Sequence, residues 1–138
     1  MPSKEANLLL VEDDEIDIMA VRRFLKRANA SNRLYIAKDG IEALEKLRAR
    51  EIPTPYIVLM DLNMPRMGGI SCLKEIRADN NLKQTIIFIL TTSDDEKDKT
   101  NAYNYNIAGY ITKSKIEDGF VETFQMLNYY LNIVELPN

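Results

Sequence analysis

The sequence contains no histidine, a single cysteine and no apolar run long enough to cross a bilayer, and each shortage removes a class of function. Without histidine the chain offers no imidazole nucleophile, base or metal ligand, so its own chemistry must run on carboxylates, hydroxyls and lysine. A lone Cys72 forbids an internal disulfide, and its place on an apolar helical stripe reads as a small core residue in a reducing compartment. The opening MPSKEANLLLVEDD has only a short apolar run before acids, which fits neither a signal peptide nor a membrane helix. A cytoplasmic protein without a membrane partner is expected. An excess of basic charge is also missing: 18 Lys and Arg are scattered among 21 Asp and Glu, for a net charge of −3. Nucleic-acid binding needs a concentrated basic patch, so a direct nucleic-acid partner is not expected.

With 138 residues there is room for one core, and the chain reads as a single domain over 1–138 with 134–138 as a short tail. What the chain does have is a regular alternation of two periods. Leu8 to Val11 is an unbroken apolar run that stops at acids, as a strand buried on both faces does. Ile16, Ala20, Phe24 and Ala28 then recur at helical spacing and predict an apolar face. Arg33 to Lys38 predicts a second strand, and Ile41, Leu44 and Leu47 a helix that Pro53 and Pro55 end. Tyr56 to Met60 is the third strand, followed by a loop with Pro65, Gly68 and Gly69 and a helix bearing Ile70, Leu73 and Ile76. Ile86 to Leu90 and Ala108 to Ile111 complete the strands. Between them lies a helix from Asp95 to Tyr105 with few apolar anchors, and Phe120, Phe124, Leu127 and Leu131 mark the last helix. Strands alternating with helices over short links imply a parallel sheet covered on both faces, hence the α/β class.

Four strings, LLVEDD, VLMDLNMP, FILTTS and GYITKS, end an apolar run in charged or hydroxylic residues. In an open α/β sheet, ligands bind beyond the carboxyl ends of the strands. Glu12, Asp13 and Asp61 would meet there from neighbouring strands. Two like charges at about 4 Å repel by about 4 kcal/mol at an effective dielectric near 20, so a compensating cation is expected. Mg²⁺ suits carboxylates that leave part of its shell to water and phosphate. Asp61 is the natural nucleophile, with Thr91 donating to a phosphoryl oxygen and Lys113 neutralising another. Asp14 and Glu15 read as partners of the following helix start. Taken singly, Asp61 could be a turn former, Lys113 a solvated lysine and Thr91 a strand end. Their joint placement at four strand ends is what argues for a site.

These residues give the chain a close resemblance to a response-regulator receiver domain of the chemotaxis-regulator type. LLVEDD matches the acidic pair, MDLNMPRMGG the phosphoacceptor loop, ILTTS the switch hydroxyl and GYITK the switch aromatic and lysine. The resemblance implies a doubly wound, five-stranded parallel sheet of flavodoxin-like order 2-1-3-4-5 with helices on both faces. It also implies that Asp61 accepts phosphate from a phosphohistidine of a partner sensor histidine kinase. Glu12, Asp13, Asp61 and the backbone carbonyl of Asn63 would hold Mg²⁺, with Mn²⁺ as a substitute. Lys113 and Thr91 would stabilise the phosphoryl group, and Tyr110 would follow Thr91 inward and alter a binding surface for a downstream protein. A phosphoacceptor domain of this kind is not an enzyme in its own right, although slow autodephosphorylation is implied.

Ser114 stands where a proline commonly follows the lysine, and Thr92 where a smaller residue is frequent. The motifs TTS and TKS with the closing VELP further resemble stand-alone regulators paired with phytochromes. That subgroup implies a light-sensing kinase as donor and a homodimer through the last strand and helix, with Tyr110, Tyr129, Tyr130, Ile133 and Val134 on its face. Two alternatives remain: a receiver-like scaffold indifferent to phosphate, and an aspartyl-phosphate phosphohydrolase of the haloacid-dehalogenase kind. The latter calls for an acid two positions beyond the nucleophile, where Asn63 stands.

Overall fold

A computed structural model describes residues 6–27, 32–113, 125–127, 129–130 and 133–137. Five aliphatic runs form the strands β1 (Asn7–Val11), β2 (Leu34–Ala37), β3 (Tyr56–Met60), β4 (Ile86–Thr91) and β5 (Gly109–Thr112). Among the described residues, four helices alternate with them: α1 (Glu15–Arg27), α2 (Gly40–Arg48), α3 (Gly69–Ala78) and α4 (Glu96–Tyr103). All strand pairs are parallel, in the order β2-β1-β3-β4-β5. The expected α/β sheet and its strand order are therefore observed, and the order reverses between β1 and β3.

Successive side chains of a strand point to opposite faces, so the sheet carries two cores. On one face Leu9, Val11, Val58, Met60, Ile87 and Ile89 pack with Leu44 and Leu47 of α2 and with Cys72, Leu73 and Ile76 of α3. On the other, Leu8, Leu10, Ile57, Leu59, Phe88 and Leu90 meet Ile18 and Val21 of α1, together with Leu127. Burial pushes the Cys72 thiol up to about 12, which leaves it an inert filler at neutral pH. From the tail, Leu136 packs against the second core.

The face of α1 differs from the one the spacing suggested. Ile16 is 77% exposed, whereas Ile18 and Val21 are buried and Phe24 and Leu25 pack against them. A strict four-residue step drifts around a helix of 3.6 residues per turn, while the 18, 21, 25 pattern stays over the sheet. Ala28 of that stripe, and Phe120, Phe124 and Leu131 of the last helix, lie outside the described residues, as does Ser114. In α4 only Ala102 is buried, in keeping with its few apolar anchors.

The loop from β3 to α3 turns back hard on itself. A Cβ on Gly69 would come within 2.5 Å of the Asp61 carbonyl oxygen and 2.8 Å of the Leu62 Cα, both backbone atoms that cannot swing aside. Gly69→Ala is expected to destabilise the fold by about 1–3 kcal/mol through this overpacking, read as a lowered urea midpoint at unchanged m-value. A change within about 0.5 kcal/mol would mean that the turn has slack.

Candidate functional site

Parallel register brings the carboxyl ends of β1, β3, β4 and β5 to one edge, and the backbone continues the ladder one residue past the strands. The Glu12 N–H donates to the Ala37 carbonyl at 2.9 Å, and the Asp61 N–H donates to the Val11 carbonyl at 3.0 Å. This continuation sets the backbones of Glu12 and Asp61, and the Asp13 N–H donates to Glu12 Oε2 at 3.1 Å. One oxygen from each lies within 4.8 Å of the other two. Glu12 is only 1% exposed and Asp61 7%, while Asp13 is open to solvent. The Leu62 N–H donates to Asp61 Oδ1 at 2.8 Å, which sets the rotation of that carboxylate.

Lys113, at the end of β5, reaches over this edge and pairs with Glu12. Its Nζ is also 2.7 Å from Asp17 Oδ2 on α1 and 3.7 Å from Asp61 Oδ2. Burial opposes the Lys113 charge, yet the hydrogen bonds to Asp17 and Glu12 outweigh it and raise its pKa above the ordinary value. For Glu12 the balance differs. Burial raises its pKa, the Lys113 hydrogen bond lowers it and the Asp61 charge raises it, for a net value of about 7 against an ordinary 4.5. Three hard oxygen donors, two of them buried, in so small a space fit the donor set of Mg²⁺ or Mn²⁺. Two clefts of about 600 and 640 Å³ open elsewhere, on the side where β3 and β4 begin with Tyr56 and Ile86.

Of the remaining expected residues, Thr91 is fully buried at the end of β4, and its Oγ1 accepts the Ser93 N–H at 3.3 Å. Asn63 is exposed in the β3–α3 loop, two residues past Asp61. The half-buried Tyr110 donates its hydroxyl to the Ser93 carbonyl at 2.8 Å, and burial raises its pKa, so it stays a donor. Asp14 caps α1 by accepting the Ile16 N–H at 2.9 Å, and Glu15 pairs with Lys38. Among the residues expected on a dimer face, Tyr129 (67%) and Ile133 (76%) are exposed and Val134 is at the margin. Tyr130 instead packs its ring edge-on against Phe88 of its own sheet, with centroids 5.2 Å apart.

Sequence reasoning missed two charged partners. Asp17 sits among other first-turn acids of α1, and nothing in its spacing singles it out as the partner of a lysine 96 residues away. Arg66, at φ 61°, donates from Nε to Asp39 Oδ2 at 2.6 Å, and that hydrogen bond holds the Asp39 carboxyl below its usual range. Asp39 also caps α2, so the clamp ties the β3–α3 loop to a helix start.

The raised Glu12 pKa has a definite sign. In the folded state the proton stays on to about pH 7, whereas the unfolded chain releases it near 4.5, so this group subtracts stability as pH rises through that interval. Carboxyl carbon-13 NMR of the metal-free protein is expected to show a Glu12 midpoint near 7, displaced downward by Mg²⁺. A metal-free midpoint near 4.5 would show that burial does not dominate.

The chain matches the response regulator receiver domain family over residues 8–125. It is 33% identical to response regulator Rcp1 of Synechocystis sp. over 135 residues, covering 94% of this chain and 92% of that one. The crystal structure of the Mn²⁺-bound form of Rcp1 superposes with a TM-score of 0.85 at 32% identity, over 98% of this chain and all of that one. That of the phosphorylated cyanobacterial phytochrome response regulator RcpA gives 0.87 at 28% identity, over 98% of this chain and 100% of that one. With its acidic pair, central aspartate, buried threonine and bridging lysine at four strand ends, the chain belongs to the response regulator receiver domain family.

Proposed function

We propose that Asp61 accepts a phosphoryl group from a phosphohistidine of a sensor histidine kinase, and that this modification alters the protein-binding surface around α4 and β5. The observation that carries the reading is the approach of Glu12, Asp13 and Asp61 oxygens to within 4.8 Å, bridged by Lys113. Likeness to a phytochrome response regulator favours a phytochrome-linked kinase as donor.

In this reading the Asp61 carboxylate attacks phosphorus from Oδ2, the oxygen that Lys113 faces. The O–P bond forms as the P–N bond of the donor breaks, and the departing imidazole nitrogen keeps the electron pair. Glu12, Asp13, Asp61 and the Asn63 carbonyl would hold Mg²⁺ or Mn²⁺, which supplies charge neutralisation to the phosphoryl oxygens. Lys113 places its ammonium beside the new group, and Thr91 turns its hydroxyl from the Ser93 N–H toward a phosphoryl oxygen. Losing that contact loosens the start of α4, where Ser93 also accepts from Tyr110 and donates to Asp98 at 2.6 Å. Water then removes the phosphoryl group slowly. The reading takes 1–138 as a single domain with 134–138 as its tail, and exposed Tyr129 and Ile133 support pairing of two copies through the last strand and helix.

With Mg²⁺ and beryllofluoride or acetyl phosphate, amide NMR shifts are expected at Asp61, Thr91, Ser93 and Tyr110, and Asp61→Asn should abolish them. Absence of any shift in the parent, or an Asp61→Asn protein that responds equally, would favour the phosphate-indifferent scaffold. Sustained turnover of a small phosphate ester would favour the phosphohydrolase. Sedimentation of the same samples tests the pairing, which a single-chain mass in both states would remove.

A further inference from the structure

We infer that Asp17 on α1 is a positioning residue that competes with the phosphoryl group for the Lys113 ammonium; this rests on the reading of Asp61 as phosphoacceptor. Lys113 Nζ lies 2.7 Å from Asp17 Oδ2 but 3.7 Å from Asp61 Oδ2, beyond hydrogen-bond reach. Of the three ammonium protons, one is committed to Glu12 and one to Asp17. Glu12 is one of the three carboxylates that would hold a cation, which would share its charge with the lysine. Asp17 lies outside that cluster, so its pairing with Lys113 does not compete with cation binding.

The backbone of Asp17 cannot follow the lysine. Asp14 caps the first turn, its side chain accepting the Ile16 N–H at 2.9 Å and its carbonyl the Ile18 N–H at 3.0 Å, while the Ile18 side chain anchors the helix in the second core. An ammonium that closes on a phosphoryl oxygen at Asp61 must therefore lengthen its contact with a carboxylate whose backbone is held in place. The lysine is 12% exposed and Asp17 34%, so water screens the pair only in part. Asp17 thus weakens anion capture and shortens the life of the phosphoryl group. Glu15 makes a suitable control because it is a neighbouring acid of the same turn, paired with Lys38 and not with Lys113.

The experiment is titration of the full chain with beryllofluoride at saturating Mg²⁺, with the loss of phosphoryl from acetyl-phosphate-labelled protein followed in parallel. Asp17→Asn is expected to bind beryllofluoride about fivefold more tightly and to lose phosphoryl more slowly by a similar factor. Asp17→Glu, which keeps the charge, and Glu15→Gln, which removes a charge from the same turn, are both expected to match the parent. The inference is overturned if Asp17→Asn binds no more tightly than the parent, if Glu15→Gln tightens binding equally, or if Asp17→Glu behaves as Asp17→Asn does. A gain of affinity is a result that simple structural damage does not produce. A parent that binds no beryllofluoride sinks the phosphoacceptor reading and this inference with it, whereas a binding parent with an unresponsive Asp17→Asn sinks the inference alone.

Discussion

The bridge from Lys113 to Glu12 is the interaction on which the candidate site depends. Crowding Glu12, Asp13 and Asp61 at one sheet edge, two of them buried, sets like charges against each other where water is scarce. One ammonium, one residue past β5, reaches beyond β4 and β3 to answer part of that charge. The answer is incomplete: burial first, with the Asp61 charge adding to it, still raises the Glu12 pKa to about 7 against the Lys113 hydrogen bond. A cation and a phosphoryl group are complementary additions to such a pocket, since the first relieves the carboxylates and the second occupies the lysine.

The fold makes this arrangement rigid where chemistry needs it and loose where a response is useful. β1 and β3 are central strands packed on both faces, and the chain continues their ladder into Glu12 and Asp61. The loop beyond Asp61 is held by the Gly69 close approach and by the Arg66–Asp39 clamp. In contrast, α4 buries only Ala102, and its start is linked to the site through Thr91, Ser93 and Tyr110. Few apolar contacts mean low local stability, so that segment is the one a new charge at Asp61 can move at least cost.

Much of this was legible because strand ends carry a strong signal. An apolar run that stops at an acid, a threonine or a lysine states both where a strand ends and what it presents, and Glu12, Asp13, Asp61, Thr91 and Lys113 were all visible in that way. The α1 face was misread because a four-residue repeat through Ile16 looked helical, while the true contacts at Ile18 and Val21 follow the 3.6-residue turn. Asp17 and Arg66 were hidden for a different reason. A charged residue on a helix or loop does not announce its partner, and pairings such as Lys113 with Asp17 exist only once five strands have been set in register. Tyr130 shows the same limit, since the Phe88 ring that takes it in is supplied by β4.

The acidic notch at the ends of β1 and β3 is the proposed entry point for a divalent cation. Substoichiometric Mn²⁺ broadens nearby amide resonances, and its position can be read from which signals vanish first. With the cation in the notch, Asp13, Asp14, Leu62 and Asn63 are expected to be lost before any others and to be restored by excess Mg²⁺. Early loss centred on Glu75 and Asp79 near Arg48, with the notch unaffected, would contradict that placement.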